Sequence, residues 1–131
     1  NAKLVMIYGM RYLSMRAMGA FCVIAVAFLP VVIAYDGVPP LWAFMAFCMS
    51  SFFCVSILFG NLNAMAMEPM GKIAGMAAAL IGSVSTFISL PIGVAIGQLF
   101  DGTLTPMVAS FALIGAAAFA LLYRTSRISE E

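Results

Sequence analysis

Four long apolar runs, at about 17–35, 41–60, 73–100 and 104–123, are separated by short polar gaps. About 20 helical residues cross the roughly 30 Å hydrocarbon layer of a bilayer, so each run predicts a transmembrane helix. Helix is the expected state because lipid offers the backbone no hydrogen-bond partner. The runs are too long for strands, and none alternates apolar with polar residues. The third run would measure about 42 Å at 1.5 Å per residue. It is expected to protrude on the cytoplasmic side and to bend at Pro91, which lacks an amide donor. Asp36-Gly37-Val38-Pro39-Pro40 and Asp101-Gly102-Thr103 read as tight outer turns. The predicted class is an all-α membrane protein of four transmembrane helices, with residues 1–131 in one unit.

Charge orders the gaps. Lys3, Arg11, Arg16, Lys72, Arg124 and Arg127 all fall in alternate gaps, and the other two gaps hold no basic residue. If every run crosses, all six lie on one side, and that bias marks the cytoplasmic face. Both ends are therefore expected in the cytoplasm, with Arg11, Glu68 and Lys72 in cytoplasmic loops. Hydrophobic residues make up 65% and charged residues 8%; a soluble domain carries about 25% charged residues. A net charge of +1 gives no basis for nucleic-acid binding. The chain opens on Asn1 within a basic gap and is read as a fragment of a longer protein. Glu68, just ahead of the third run, suits a helix N-terminus electrostatically; the competing reading is a gate salt bridge.

Two runs carry a face worth naming. In the third, Gly71, Gly75, Ala78, Ala79, Gly82, Ser85, Thr86, Ser89, Gly93 and Gly97 fall on one side at 100° per residue. Leu80, Ile81, Val84, Phe87 and Ile88 fall on the other. Small residues let helix backbones approach closely in lipid, so Gly71, Gly75, Gly82, Thr86, Ser89, Gly93 and Gly97 are expected to form a packing face, static or sliding. In the second run, Ala43, Phe47, Ser50, Cys54 and Asn61 make a weakly polar aromatic stripe with Ser51 at its margin. Such a stripe suits the wall of a cavity for amphiphilic solutes. It equally suits packing, with Phe47 against a neighbour and the serines bonded to their own helix.

The chemistry the chain lacks narrows its function. Cys48 and Cys54 are separated by about 9 Å of helix, too far for a disulfide. With no histidine and no Cys-x-x-Cys, neither a metal site nor a cofactor is expected. The carboxylates Asp36, Glu68, Asp101, Glu130 and Glu131 all lie outside the runs, whereas ion-coupling acids normally sit within them. A small four-helix multidrug exporter carries an acid in its first helix, and this chain has none there. An intramembrane enzyme would need a base or a buried acid pair, so no catalytic activity is expected.

Three stretches resemble the C-terminal third of a major facilitator superfamily transporter, and more narrowly the Bcr/CflA group of bacterial drug-resistance exporters. Asn1-Ala2-Lys3-Leu4-Val5, with Gly9-Met10-Arg11, resembles the loop between helices 8 and 9. Asn61-Leu62-Asn63-Ala64-Met65-Ala66-Met67-Glu68-Pro69, with Gly71 and Ala74-Gly75-Met76-Ala77, resembles the join of helices 10 and 11. Gly97-Gln98-Leu99-Phe100-Asp101-Gly102-Thr103 resembles the turn into helix 12. The resemblance implies helices 9 to 12 of a twelve-helix fold in the bacterial inner membrane, with helix 10 lining a central cavity. It implies proton antiport of small amphiphilic compounds, with helices 1–8 of the same chain as partner. A metabolite transporter of the same superfamily and a non-transporting membrane scaffold are the alternatives.

Overall fold

A computed structural model describes Ala2 to Ile128; Asn1 and the tail carboxylates Glu130 and Glu131 lie outside the described residues. Helix α1 spans Ala2–Tyr8, α2 spans Met10–Ala34 and α3 spans Leu41–Met67. A 3-10 segment, Glu68–Ile73, leads into α4, Ala74–Gln98, and α5 closes the order at Thr105–Ile128. The described residues contain no strand. Three stretches are long and apolar enough to cross a membrane: Met10–Ala34, Leu41–Gln98 and Thr105–Ile128. They give the chain the make-up of a multi-pass membrane protein.

The expected second and third runs are α3 and α4, and the polar gap between them is the 3-10 segment Glu68–Ile73 rather than an open loop. Gly71 interrupts that segment with φ 22° and ψ −94°, a conformation that favours a residue without a Cβ. Helix α4 itself continues through Pro91. The first gap, expected as a loop, is also helical, so Arg11 lies in the first turn of α2.

Helix α2 packs along both α3 and α5, whereas α4 touches its neighbours sparingly and buries only Ala77. The core gathers Ala25, Phe28 and Val32 of α2, Ala43 and Phe47 of α3, and Val108 of α5. It therefore sits toward the end of the bundle that carries Asp36 and Asp101. There the two turns clasp each other. The Leu104 amide donates to the Gly37 carbonyl at 2.8 Å, and a Cβ on Gly37 would fall 2.4 Å from Thr103 Cβ. Gly37 also has φ +83°, so both space and backbone demand glycine.

Asp101 completes this turn. Its Oδ1 accepts hydrogen bonds from the Thr103 hydroxyl at 2.6 Å and the Thr103 amide at 3.0 Å, an Asx turn. The hydroxyl first, and then the amide, hold the carboxyl below its ordinary range. A carboxyl depressed in the folded state favours folding above its unfolded pKa, and that contribution is lost as pH falls through the folded value.

Two expectations follow from the clasp. Gly37→Ala should destabilise the protein by about 1–3 kcal/mol through overpacking against Thr103. Gly102→Ala, with φ +90° but nothing within 4 Å, should cost only its backbone strain. Denaturation of both variants in detergent compares them; equal losses would remove the steric argument. Thr103→Val should raise the Asp101 pKa toward the usual carboxylate range, read by NMR titration.

Candidate functional site

The second-run stripe is where α3 meets α2. Ala43, Phe47, Ser51, Cys54, Leu58 and Asn61 are the buried residues of α3, recurring every three or four positions as one helix face requires. Phe47 stacks on Phe28 with ring centroids 4.4 Å apart and planes 8° from parallel. Ser50 is exposed and its hydroxyl donates to the Ala46 carbonyl at 2.8 Å. The two serines thus exchange the places expected of them: Ser51 is in the seam and Ser50 at its edge. A small change of helix phase is enough to do this. Leu41, Trp42, Met45, Met49 and Phe52 form the exposed back, as their positions predict. Ser51 Oγ is buried without a hydrogen-bond partner, a costly condition in a dry seam.

A cleft of about 790 Å3 opens between α3 and α4, lined on the α3 side by Phe59, Leu62, Asn63 and Ala66. On the α4 side it meets Ile81, Gly82, Ser85, Thr86, Ser89 and Leu90. The small face of the third run therefore borders open space. Gly75, Gly82, Gly93 and Gly97 have nothing within 4 Å of an added Cβ, and the same holds for Gly71. Ile81, expected on the opposite face, lines the cleft instead. The Thr86 hydroxyl donates to the Gly82 carbonyl at 2.8 Å, and Asn63 donates to the Phe59 carbonyl at 2.8 Å. Ser85 and Ser89 make no such bond within the described residues, which leaves their hydroxyls to the cleft. None of Phe47, Ser50, Ser51, Cys54 and Asn61 lines this cleft.

The close helix approach among the described residues lies elsewhere, between α2 and α5. A Cβ added at Gly115 would meet Phe21 at 3.0 Å and Cys22 Sγ at 3.3 Å, and one at Gly19 would meet Phe119 at 3.6 Å. The sequence gives this pair no signal, because each is a lone glycine in an apolar run, without the repeat that marks α4.

At the other end, Arg11, Tyr12, Met65, Glu68 and Ser126 border one pocket of about 570 Å3. The start of α2 and the ends of α3 and α5 converge there. Lys72 is exposed in the 3-10 segment that follows α3. The basic residues and Glu68 thus lie toward one end of the helices, and Asp36 and Asp101 lie at the other. Among the described residues, no three His, Cys, Asp or Glu side chains gather as metal ligands would.

No protein-family model matches the chain, and neither a curated protein nor a solved structure matches it.

The seam generates a paired expectation. Phe47→Ala should cost about 3–5 kcal/mol by emptying the stack on Phe28. Ser51→Ala, which removes an unsatisfied buried hydroxyl, should be neutral or stabilising. Unfolding of both variants in detergent tests this. A tolerated Phe47→Ala, or a Ser51→Ala that destabilises as much, would contradict the seam.

Proposed function

We propose that this chain is part of a secondary active transporter that exports small amphiphilic compounds, drugs among them, by proton antiport. Its resemblance to the Bcr/CflA exporters supports the reading, with α2 to α5 as four spans of a twelve-helix major facilitator fold in the bacterial inner membrane. The basic ends would be cytoplasmic, as the sorting of Lys and Arg favours.

The observation that carries the proposal is the α3–α4 cleft. Its volume of about 790 Å3 is in the range of small-molecule sites, roughly 300–1,000 Å3. Its walls are apolar and aromatic, with Asn63, Ser85, Thr86 and Ser89 as neutral polar groups and no charged side chain among the lining residues. Such a wall offers hydrophobic area and a few orienting hydrogen bonds, which suits amphiphiles better than ions. The coupling acid must then come from helices 1–8 of the parent chain, because the carboxylates Asp36, Glu68 and Asp101 all lie at helix ends.

Ser85→Trp in the full transporter should fill the cleft and lower resistance to bulky compounds at least several-fold with protein levels unchanged. Leu80→Trp, at a site 65% exposed that lines neither this cleft nor the cavity beside it, should leave resistance intact. Equal behaviour of the two variants would sink the cleft as a substrate path. Orientation is checked in the same cells: with the native cysteines replaced, Val38→Cys should react with an impermeant thiol reagent and Lys72→Cys should not. Val38 is the better probe of its turn because it is exposed, whereas Gly37 is buried against Thr103.

A further inference from the structure

All four tyrosines and the tryptophan stand exposed near helix ends, Tyr8, Tyr12 and Tyr123 toward the basic end and Tyr35 and Trp42 at the other. Such rings settle at the lipid headgroup level. Tyr12 and Tyr35 bracket about 34 Å of helix rise, close to the roughly 30 Å of a hydrocarbon core. Tyr12 and Tyr123 thereby stand within about one helical turn of each other, near the headgroup level expected for such rings at the basic end.

At that level α2 and α5 carry the same device. The Arg16 guanidinium lies 5.4 Å over the Tyr12 ring and donates to its hydroxyl at 2.5 Å. The Arg127 guanidinium lies 5.2 Å over the Tyr123 ring, and its Nε and Nη2 donate to that hydroxyl at 3.2 and 2.8 Å. Each ring is braced from behind, Tyr12 by Tyr8 at 5.6 Å and Tyr123 by Phe119 at 6.4 Å.

The two pairs sit on neighbouring helices. Tyr12, Arg16 and Gly19 fall on one stripe of α2, and Phe119, Tyr123 and Arg127 on one stripe of α5, by their spacing of three or four. The stripes meet where the Phe119 ring comes within 3.6 Å of an added Gly19 Cβ. The pairings of Gly19 with Phe119 and of Cys22 with Gly115 show that the helices run antiparallel. Beyond the Gly19–Phe119 contact, Arg16 is level with Tyr123, and Tyr12 with Arg127.

We propose that the Tyr12–Arg16 and Tyr123–Arg127 pairs clasp the phosphate of an anionic phospholipid in the leaflet at the basic end. Each tyrosine hydroxyl accepts from its arginine, which frees its own O–H to donate outward. Each guanidinium has five N–H groups and uses at most two on tyrosine, which leaves others for two-point contact with phosphate oxygens. The local field selects for negative charge. Six basic residues lie toward this end, with Glu68 the one carboxylate there among the described residues.

The test is binding of phosphatidylglycerol to the purified full chain in a neutral detergent, followed by native mass spectrometry and thermal unfolding. Binding should saturate at one site and exceed that of phosphatidylcholine at least tenfold. Arg16→Gln with Arg127→Gln should weaken it tenfold or more. Lys3→Gln with Lys72→Gln removes the same charge from the same end and should leave it unchanged. Arg16→Lys with Arg127→Lys should weaken it several-fold, since lysine lacks the planar fork. Tyr12→Phe with Tyr123→Phe, which keeps rings and charges, should weaken it at least threefold and decides the matter if the glutamine variant fails to fold. Equal loss in the lysine-to-glutamine variant would mean a diffuse field, and equal binding of phosphatidylcholine would mean no anionic selectivity. Equal stabilisation by inorganic phosphate would mean a free-anion site. Any of these, or full binding by the phenylalanine variant, overturns the clasp.

Discussion

Most of the helix packing among the described residues passes through α2. Helices in lipid gain nothing from hiding apolar surface, because the tails around them are equally apolar, so their association rests on close van der Waals fit. Helix α2 meets that demand in two different ways. Toward α3 it offers volume, with Phe28 flat on Phe47 and Val32 fully buried in the core. Toward α5 it offers proximity, with Phe21 and Cys22 over Gly115 and Gly19 beneath Phe119. One helix thus joins two partners by opposite means, one by filling space and one by leaving it out.

The hydroxyls follow a rule of their own. Ser50, Ser56, Ser83, Thr86, Ser110 and Thr125 each donate to the carbonyl four residues back, which hides a polar group from lipid at little structural cost. Against that background Ser85 and Ser89 differ, since both face a cleft and neither is bonded within its helix. Ser51 is the converse case, buried in a seam where its hydroxyl has no partner. Polar groups that depart from the local rule are the ones a site can use, and α4 presents two of them on one side.

Much of this architecture was legible in the chain, and the departures share a cause. At the end carrying Asp36 and Asp101, the apolar runs and the helices stop together: α2 ends at Ala34, α3 begins at Leu41 and α5 begins at Thr105. Turn chemistry stops the helix there just where apolarity does. At the basic end α2, α3 and α5 overshoot their runs, whereas α4 begins at Ala74, within its own. Residues such as Met10, Arg11, Ala64, Met65 and Arg124 are good helix formers but are not apolar enough in aggregate to extend a span, so hydropathy underestimates them. The face of α3 was legible to within one position, since a periodicity near 3.6 locates a stripe but not its edge; hence Ser51 and Ser50 traded places. Whether a stripe meets a helix or a cavity is a matter of tertiary arrangement. The α3 stripe found α2, while the α4 row found space.

The break at Gly71 has a mechanical meaning. Helix α4 is joined to the α2–α3–α5 body through a single residue of unusual backbone at one end and the clasped turns at the other, and only Ala77 along its length is buried. A rod held at its two ends and little gripped between them behaves as a strut on pivots. Rotation about its axis would disturb few side chains, whereas a comparable turn of α2 would break both of its seams at once. The packing of the described residues thus resists least a turn of α4, the helix that carries Ser85 and Ser89 along the cleft.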